Sequence, residues 1–269
     1  LFKLDRRKYP AYVGGVPPDY FSRTGRLWNN PVYDWNELKR TGFTWWIDRI
    51  VHNLGLFDLV RLDHFRGFVS YWEVPAGEKT ARNGRWVNAC AKPFFNKLAA
   101  KIPGIPIIAE NLGVITPDVV KIMKEFKFPG IAILQFAFGK DFPESEHLPV
   151  KYSRDTVVYT GTHDNNTTRG WFDNDTKPYE KKNISQYFRQ DINPADICSA
   201  MIELAMKSAA VLSIIPVQDI LCLGPESRMN HPSTVRKNWK WQLSSGEFDR
   251  LCSDSCTAPL AEITAKYKR

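Results

Sequence analysis

No stretch of the 269 residues stays apolar for long: the longest apolar runs, at 131–134 and 209–217, fall well short of the ~20 residues a membrane-spanning helix requires. That excludes a helical membrane protein. The opening Leu1-Phe2-Lys3-Leu4-Asp5-Arg6-Arg7-Lys8 has no apolar run followed by small residues, so it is not a secretory signal. An initiating Met is also missing, and the natural N-terminus is expected to lie upstream. Cysteine is scarce and odd in number. Of Cys90, Cys198, Cys222, Cys252 and Cys256, only the last two lie close together, which suggests neither a disulfide framework nor a zinc pattern. Reduced thiols in a cytoplasmic setting are the simplest expectation. Long runs of one charge are missing as well. The 37 Lys+Arg against 29 Asp+Glu give +8, but the basic residues come singly or in short groups such as Lys181-Lys182, each of which reads as a solvated face. No recognised nucleic-acid motif accompanies them, so nucleic acid is not an expected partner.

What is present is an ordinary folded composition, 43% hydrophobic and 25% charged, long enough to bury one or two cores. From about residue 36, amphipathic helical patterns alternate with short apolar runs, which predicts α/β with parallel strands. Phe43, Ile47, Ile50, Val51 and Leu54 fall at helical spacing over 36–54, and residues 57–63 then read as a strand. Thr116-Pro117-Asp118 supplies an N-cap and a first-turn proline before another helix, and Asn193-Pro194 repeats the device before a helix ending near Ala210. Between them, residues 105–110, 131–136, 156–162 and 212–217 are short and rich in β-branched side chains, making five strands in all. Residues 1–35 differ. They are crowded with Gly, Pro and aromatics, and read as a long ordered loop preceding a second region, 36–269.

Three of the five strands end in charged clusters: Arg61-Leu62-Asp63-His64-Phe65-Arg66, Glu110-Asn111 and His163-Asp164-Asn165-Asn166. In a barrel of parallel strands such ends gather on one rim, where active sites are built. Any one acid alone is better explained as a helix cap or the partner of an Arg. Three together suggest catalysis. Arg61 and Asp63 alternate on a strand and share a face, where the guanidinium would favour the charged carboxylate. Glu110 follows apolar Ile107, Ile108 and Ala109, so partial desolvation should raise its pKa. Environments that separate two carboxyls in this way divide them into a nucleophile and an acid/base.

The motifs Arg61-Leu62-Asp63-His64-Phe65-Arg66-Gly67-Phe68, Ile108-Ala109-Glu110-Asn111-Leu112-Gly113 and Tyr159-Thr160-Gly161-Thr162-His163-Asp164-Asn165 resemble the signatures of the amylomaltase family of 4-alpha-glucanotransferases. Gly15-Val16-Pro17-Pro18-Asp19-Tyr20-Phe21-Ser22, with Leu27-Trp28 and Asn30-Pro31, resembles that family's active-site loop. The tail from Arg228-Met229-Asn230 to Asn238-Trp239-Lys240-Trp241 resembles its C-terminal signature.

The resemblance implies the last five strands of a (β/α)8 TIM barrel and a retaining transfer of α-1,4-glucan segments between oligosaccharides. It makes Asp63 the nucleophile, Glu110 the acid/base and Asp164 the stabiliser of the transition state. Arg61 would orient Asp63, while His64, His163, Asn111 and Asn165 would contact sugar. Asp19, Tyr20, Phe21 and Trp28 would shape and stack in the loop over the cleft, although core packing is the plainer explanation for lone aromatics. Maltodextrin, starch or glycogen chains would be the substrates. No organic cofactor or metal is implied, since carboxylates suffice.

Two positions depart from the family pattern: Asn29 and Ser233 stand where it usually has Gly, and at a positive φ Asn is tolerated far better than Ser. The resemblance also implies missing strands ahead of residue 1, so the chain is expected to be a fragment with an exposed strand edge. Hydrolysis of α-1,4-glucan by the same three carboxylates is an alternative. So are an inert glucan-binding fragment and a metal-dependent phosphohydrolase using His64, His163, Asp164 and Asp219. The last is disfavoured because His163-Asp164 follows a strand rather than lying on a helix.

Overall fold

The structure, a computed structural model, describes residues 1–18 and 22–269, and the chain divides into two compact units, Leu1–Gly130 and Ile131–Arg269.

In the first unit, β1 (Tyr12–Val16), β2 (Arg26–Pro31), β4 (Ser70–Pro75) and β5 (Arg85–Asn88) form an antiparallel sheet in the order β2-β1-β4-β5. Residues 1–35, expected as a loop, therefore contain two strands. The misleading signal was glycine. A Cβ on Gly15 would lie 2.5 Å from the Arg26 carbonyl oxygen, so only glycine lets β1 and β2 approach this closely, and the register shifts between Val13 and Gly15.

The expected helix over 36–54 is two helices, Trp35–Arg40 and Thr44–Leu54, divided where Gly42 and Phe43 both take positive φ, 71° and 58°. Asp34 caps the first of them, its Oδ1 accepting from the backbone N–H groups of Asn36 (3.1 Å) and Glu37 (3.0 Å). Ala91–Lys101 and Pro117–Phe126 complete this unit's helices, the latter with Thr116 extended at its N-cap and proline in its first turn as the sequence indicates. Phe65, Phe94, Phe95 and Leu98, all fully buried, anchor an aromatic core beneath the parallel pair β3 (Val60–Leu62) and β6 (Ile107–Ala109).

In the second unit, β7 (Gly130–Ile133, beginning on the last residue of the first unit), β8 (Thr156–Tyr159) and β9 (Leu212–Ile214) follow in that order, with β8 and β9 parallel and Tyr159 opposite Ile214. Helix Ile197–Lys207 packs Ile197, Met201 and Ala205 against Leu134, Phe138 and Val158. It starts later than Asn193-Pro194 suggested, because residues 193–196 close a turn of their own in which Asp196 N–H donates to the Asn193 carbonyl. Parallel strands stand at all five expected places, each shorter than expected; Asp63 and Glu110 follow their strands directly and lie outside the ladder.

Asn29 and Ser233 both hold the backbone conformation that favours glycine, φ 61° and 66°. Ser in the left-handed region costs roughly 1–2 kcal/mol, part of which glycine returns as extra freedom of the unfolded chain. Ser233→Gly should therefore raise stability by up to about 1 kcal/mol, and Asn29→Gly should do less. Urea unfolding midpoints of the two variants check the order; equal midpoints would contradict it.

Candidate active site

The ladder between β3 and β6 fixes the first unit's site. Val60, Arg61 and Leu62 pair with Ile107, Ile108 and Ala109, so the next residues on each chain, Asp63 and Glu110, stand opposite one another and leave the sheet on the same face. Glu110 N–H still donates to the Leu62 carbonyl at 3.0 Å. A regular parallel ladder would next join His64 N–H to the Glu110 carbonyl. His64 instead turns into the left-handed region (φ 45°, ψ 53°), and Phe65 N–H takes that carbonyl at 3.1 Å. The released His64 N–H donates to Oε2 of the Glu110 carboxyl at 2.7 Å, while Leu112 N–H donates to Oε1 at 2.7 Å.

Glu110 is thus aimed by two backbone donors and buried, 9% exposed. Burial pushes its pKa above the usual carboxylate value and the Asp63 charge adds to the rise, while the N–H donors of Leu112 and His64 and the Arg61 charge oppose it. Asp63 has the opposite setting: 78% of its side chain is exposed, and Arg61 Nη2 donates to its Oδ1 at 2.9 Å. Burial lowers the His64 pKa, with Asp63 opposing and Arg66 reinforcing the shift, which favours the neutral imidazole at neutral pH. Its ring meets Trp28 edge to face, centroids 4.8 Å apart, with Trp28 46% exposed. Asn111 lies over Gly130, where a Cβ would come within 2.7 Å of its amide nitrogen. Asp19, Tyr20 and Phe21 lie outside the described residues.

The second unit carries the other predicted group. Asp164 Oδ1 accepts from Asn230 Nδ2 at 2.6 Å and lies 3.5 Å from His163 Nε2. Arg228 clamps the same turn, donating to the Asp164 carbonyl (2.8 Å) and to the Asn230 carbonyl (2.8 Å). Asn165 shapes the loop, its Oδ1 accepting from the Thr162 N–H (2.9 Å) and hydroxyl (2.8 Å), a local turn typical of Asn. Trp239, 60% exposed, sets its ring 5.2 Å from that of His163. Gly161, Thr162, His163 and Asn165 line one cleft with Arg228 and Met229.

Beneath this loop lies a group the sequence indicated only as a rejected metal ligand. Asp219, 2% exposed, accepts from Thr160 Oγ1 (2.6 Å), Thr168 N–H (2.8 Å) and Thr168 Oγ1 (2.7 Å), which fastens both ends of the 160–168 segment. Both its oxygens are committed to these donors, which argues against a metal-binding role. Asn230 and Arg228 sat in the C-terminal motif without a role attached. Only the structure shows that they hold the Asp164 turn.

A family model described as 4-alpha-glucanotransferase, of glycoside hydrolase family 77, matches residues 1–247. The 4-alpha-glucanotransferase of Solanum tuberosum, named chloroplastic/amyloplastic, is 48% identical over 269 residues, covering 100% of this chain and 46% of the relative. That of Aquifex aeolicus is 49% identical over 243 residues, covering 90% of this chain and 50% of the relative. Among solved structures, the amylomaltase of Streptococcus agalactiae in complex with acarbose superposes with a TM-score of 0.92 at 37% identity, over 100% of this chain and 53% of that one. The chain spans about half the length of the relatives it matches. Its fold class is the expected one, α/β with part of a (β/α)8 barrel.

Proposed function

The chain belongs to the 4-alpha-glucanotransferase family, and from that premise we propose that it supplies the catalytic carboxylates of a retaining transfer between α-1,4-glucan chains. One observation carries the proposal: Asp63 and Glu110 end adjacent, in-register parallel strands, one exposed and ion-paired, the other buried with its pKa raised. Neighbouring strands lie roughly 4.8 Å apart, which suits the ~5–5.5 Å separation of the two carboxyls in a retaining enzyme.

In the proposed reaction Glu110 protonates the glycosidic 4-oxygen as the Asp63 carboxylate attacks the anomeric carbon, giving a β-glucosyl ester and releasing the shortened chain. Glu110, now ionised, takes the proton from an incoming 4-hydroxyl, whose oxygen displaces Asp63 and restores the α configuration. Asp164 is assigned the stabilisation of the transition state on the family resemblance, with His163 and Asn165 beside it as sugar contacts. Arg61 orients Asp63. His64, neutral and braced by Trp28, and Asn111 are proposed to hydrogen-bond hydroxyls, while Trp28, with Asp19, Tyr20 and Phe21, shapes the covering loop that favours a sugar acceptor over water. Residues 1–35 are assigned to this loop region and 36–269 to the barrel. A cytoplasmic setting rests on the cysteine pattern alone, the plastid of the potato relative's name being the alternative.

Incubation with maltotriose tests the reading, on the chain alone and on the same chain joined behind the preceding half of the potato relative. A ladder of longer and shorter oligomers from the joined protein supports transfer. Glucose and maltose alone select hydrolysis, and no turnover in either form overturns the proposal. The pH dependence has a definite sign. An acid that must begin protonated loses competence as pH rises through its pKa, and burial moves that pKa upward for Glu110. The alkaline limb of kcat/KM should therefore lie above the ordinary carboxylate value of about 4.3. A limb that survives unshifted in Glu110→Gln would contradict the assignment.

A further inference from the structure

The loop that follows the Asp164 clamp is closed by its own side chains. His231 N–H donates to Asn238 Oδ1 at 2.9 Å, Asn238 Nδ2 donates to the Thr234 carbonyl at 2.9 Å, and the Thr234 hydroxyl donates to the His231 carbonyl at 2.7 Å. Trp239 N–H donates to the Met229 carbonyl at 2.7 Å, which brings the two ends of the loop together, and Asn230 N–H fastens them to the His163 carbonyl at 3.1 Å.

Trp239 takes the left-handed conformation, φ 58°, which disfavours a bulky side chain and which Asn or Gly adopts more readily. Burial does not offset that strain, because the residue is 60% exposed. Its backbone hydrogen bond could be made by any residue except proline. What the side chain alone supplies is an indole set 5.2 Å from the His163 imidazole and tilted 37° to it, at the outer end of a row that continues from His163 Nε2 to Asp164 Oδ1, 3.5 Å away. Strained residues gather at ligand sites, where their geometry serves the ligand and not the fold.

We propose that Trp239 is a specificity-determining residue of the glucan site, its exposed ring stacking on the glucose unit next to the one held at His163 and Asp164. This rests on the assignment of His163 and Asp164 as glucan contacts. A glucopyranose ring presents C–H groups on its faces and hydroxyls around its rim, so a flat indole covers the first and leaves the second hydrated. His163 backs the indole and fixes its tilt. The contact lies one unit from the reacting carbon and is the same before and during the reaction, so it sets KM and leaves kcat alone.

The test uses the joined protein and two variants. Trp239→Asn removes the ring and suits the left-handed backbone, so folding is kept; Trp239→Phe retains a smaller ring. Binding of maltoheptaose is measured by titration calorimetry with each variant combined with Asp63→Asn, and KM and kcat for maltoheptaose are measured with Asp63 intact. Trp239→Asn should bind about ten-fold more weakly and raise KM about ten-fold, and Trp239→Phe should stay within about three-fold of the parent. In both, kcat should stay within about two-fold. Unchanged binding in Trp239→Asn would overturn the proposal. So would a fall in kcat at unchanged KM, the outcome for a ring that only props His163, or a Phe variant as weak as the Asn one. Turnover by the Asp63→Asn form would contradict the catalytic assignment instead, while the binding comparison still decides for or against Trp239.

Discussion

Asp63→Asn should leave glucan binding in place and cut transfer by roughly 10⁴- to 10⁶-fold, the scale on which enzymes lose activity with their nucleophile. The amide is nearly isosteric with the carboxylate but cannot form a glucosyl ester, so the first displacement has no attacking oxygen. Folding should hardly notice the change. The side chain is 78% exposed and its ion pair with Arg61 is solvated, which bounds the stability lost at about 1 kcal/mol or less. Turnover of maltotriose and binding of an unreactive oligosaccharide are measured side by side on the joined protein. Normal turnover would end the assignment of Asp63, and loss of both binding and turnover would make Asp63 a binding residue instead.

Asp219→Ala should have the opposite profile, a large loss of stability from a buried residue to which the proposed reaction gives no chemical step. The change strips a buried backbone N–H and two threonine hydroxyls of their shared acceptor. Each unsatisfied buried donor costs about 1–3 kcal/mol, and the hydroxyls can partly reorient, so a total near 3–5 kcal/mol is expected. For a chain of this size that corresponds to a fall in Tm on the order of 10 °C. The 160–168 segment, released at both ends, should also become the first site of proteolytic cleavage. A Tm within about 2 °C of the parent would show that the brace is dispensable.

The places of Asp63 and Glu110 just beyond two strands were legible in the sequence because each closes a short apolar run. Their register was not. Whether Asp63 stands opposite Glu110 depends on hydrogen bonds across two strands, and the cradle that aims Glu110 depends on His64 entering a left-handed conformation that no residue type announces. Glycine misled at Gly14-Gly15, where it marks close strand approach and not a loop, and Gly42 broke a helix whose apolar spacing ran through it. The departures at Asn29 and Ser233 pointed correctly to positive φ, because there the sequence question was about backbone sterics alone. The Asn230 and Arg228 clamp on the Asp164 turn joins residues more than sixty positions apart. Periodicity carries no information at that range.

The central claim is that Asp63 forms the covalent intermediate while Glu110 moves the proton. It is tested most directly by treating the Glu110→Gln form of the joined protein with α-maltosyl fluoride, whose leaving group needs no acid, and locating any adduct by peptide mass spectrometry. The account predicts a maltosyl ester that accumulates on the peptide containing Asp63, because the base that would activate the acceptor is gone. An adduct on Asp164, or none at all under conditions where the fluoride is consumed, would contradict it.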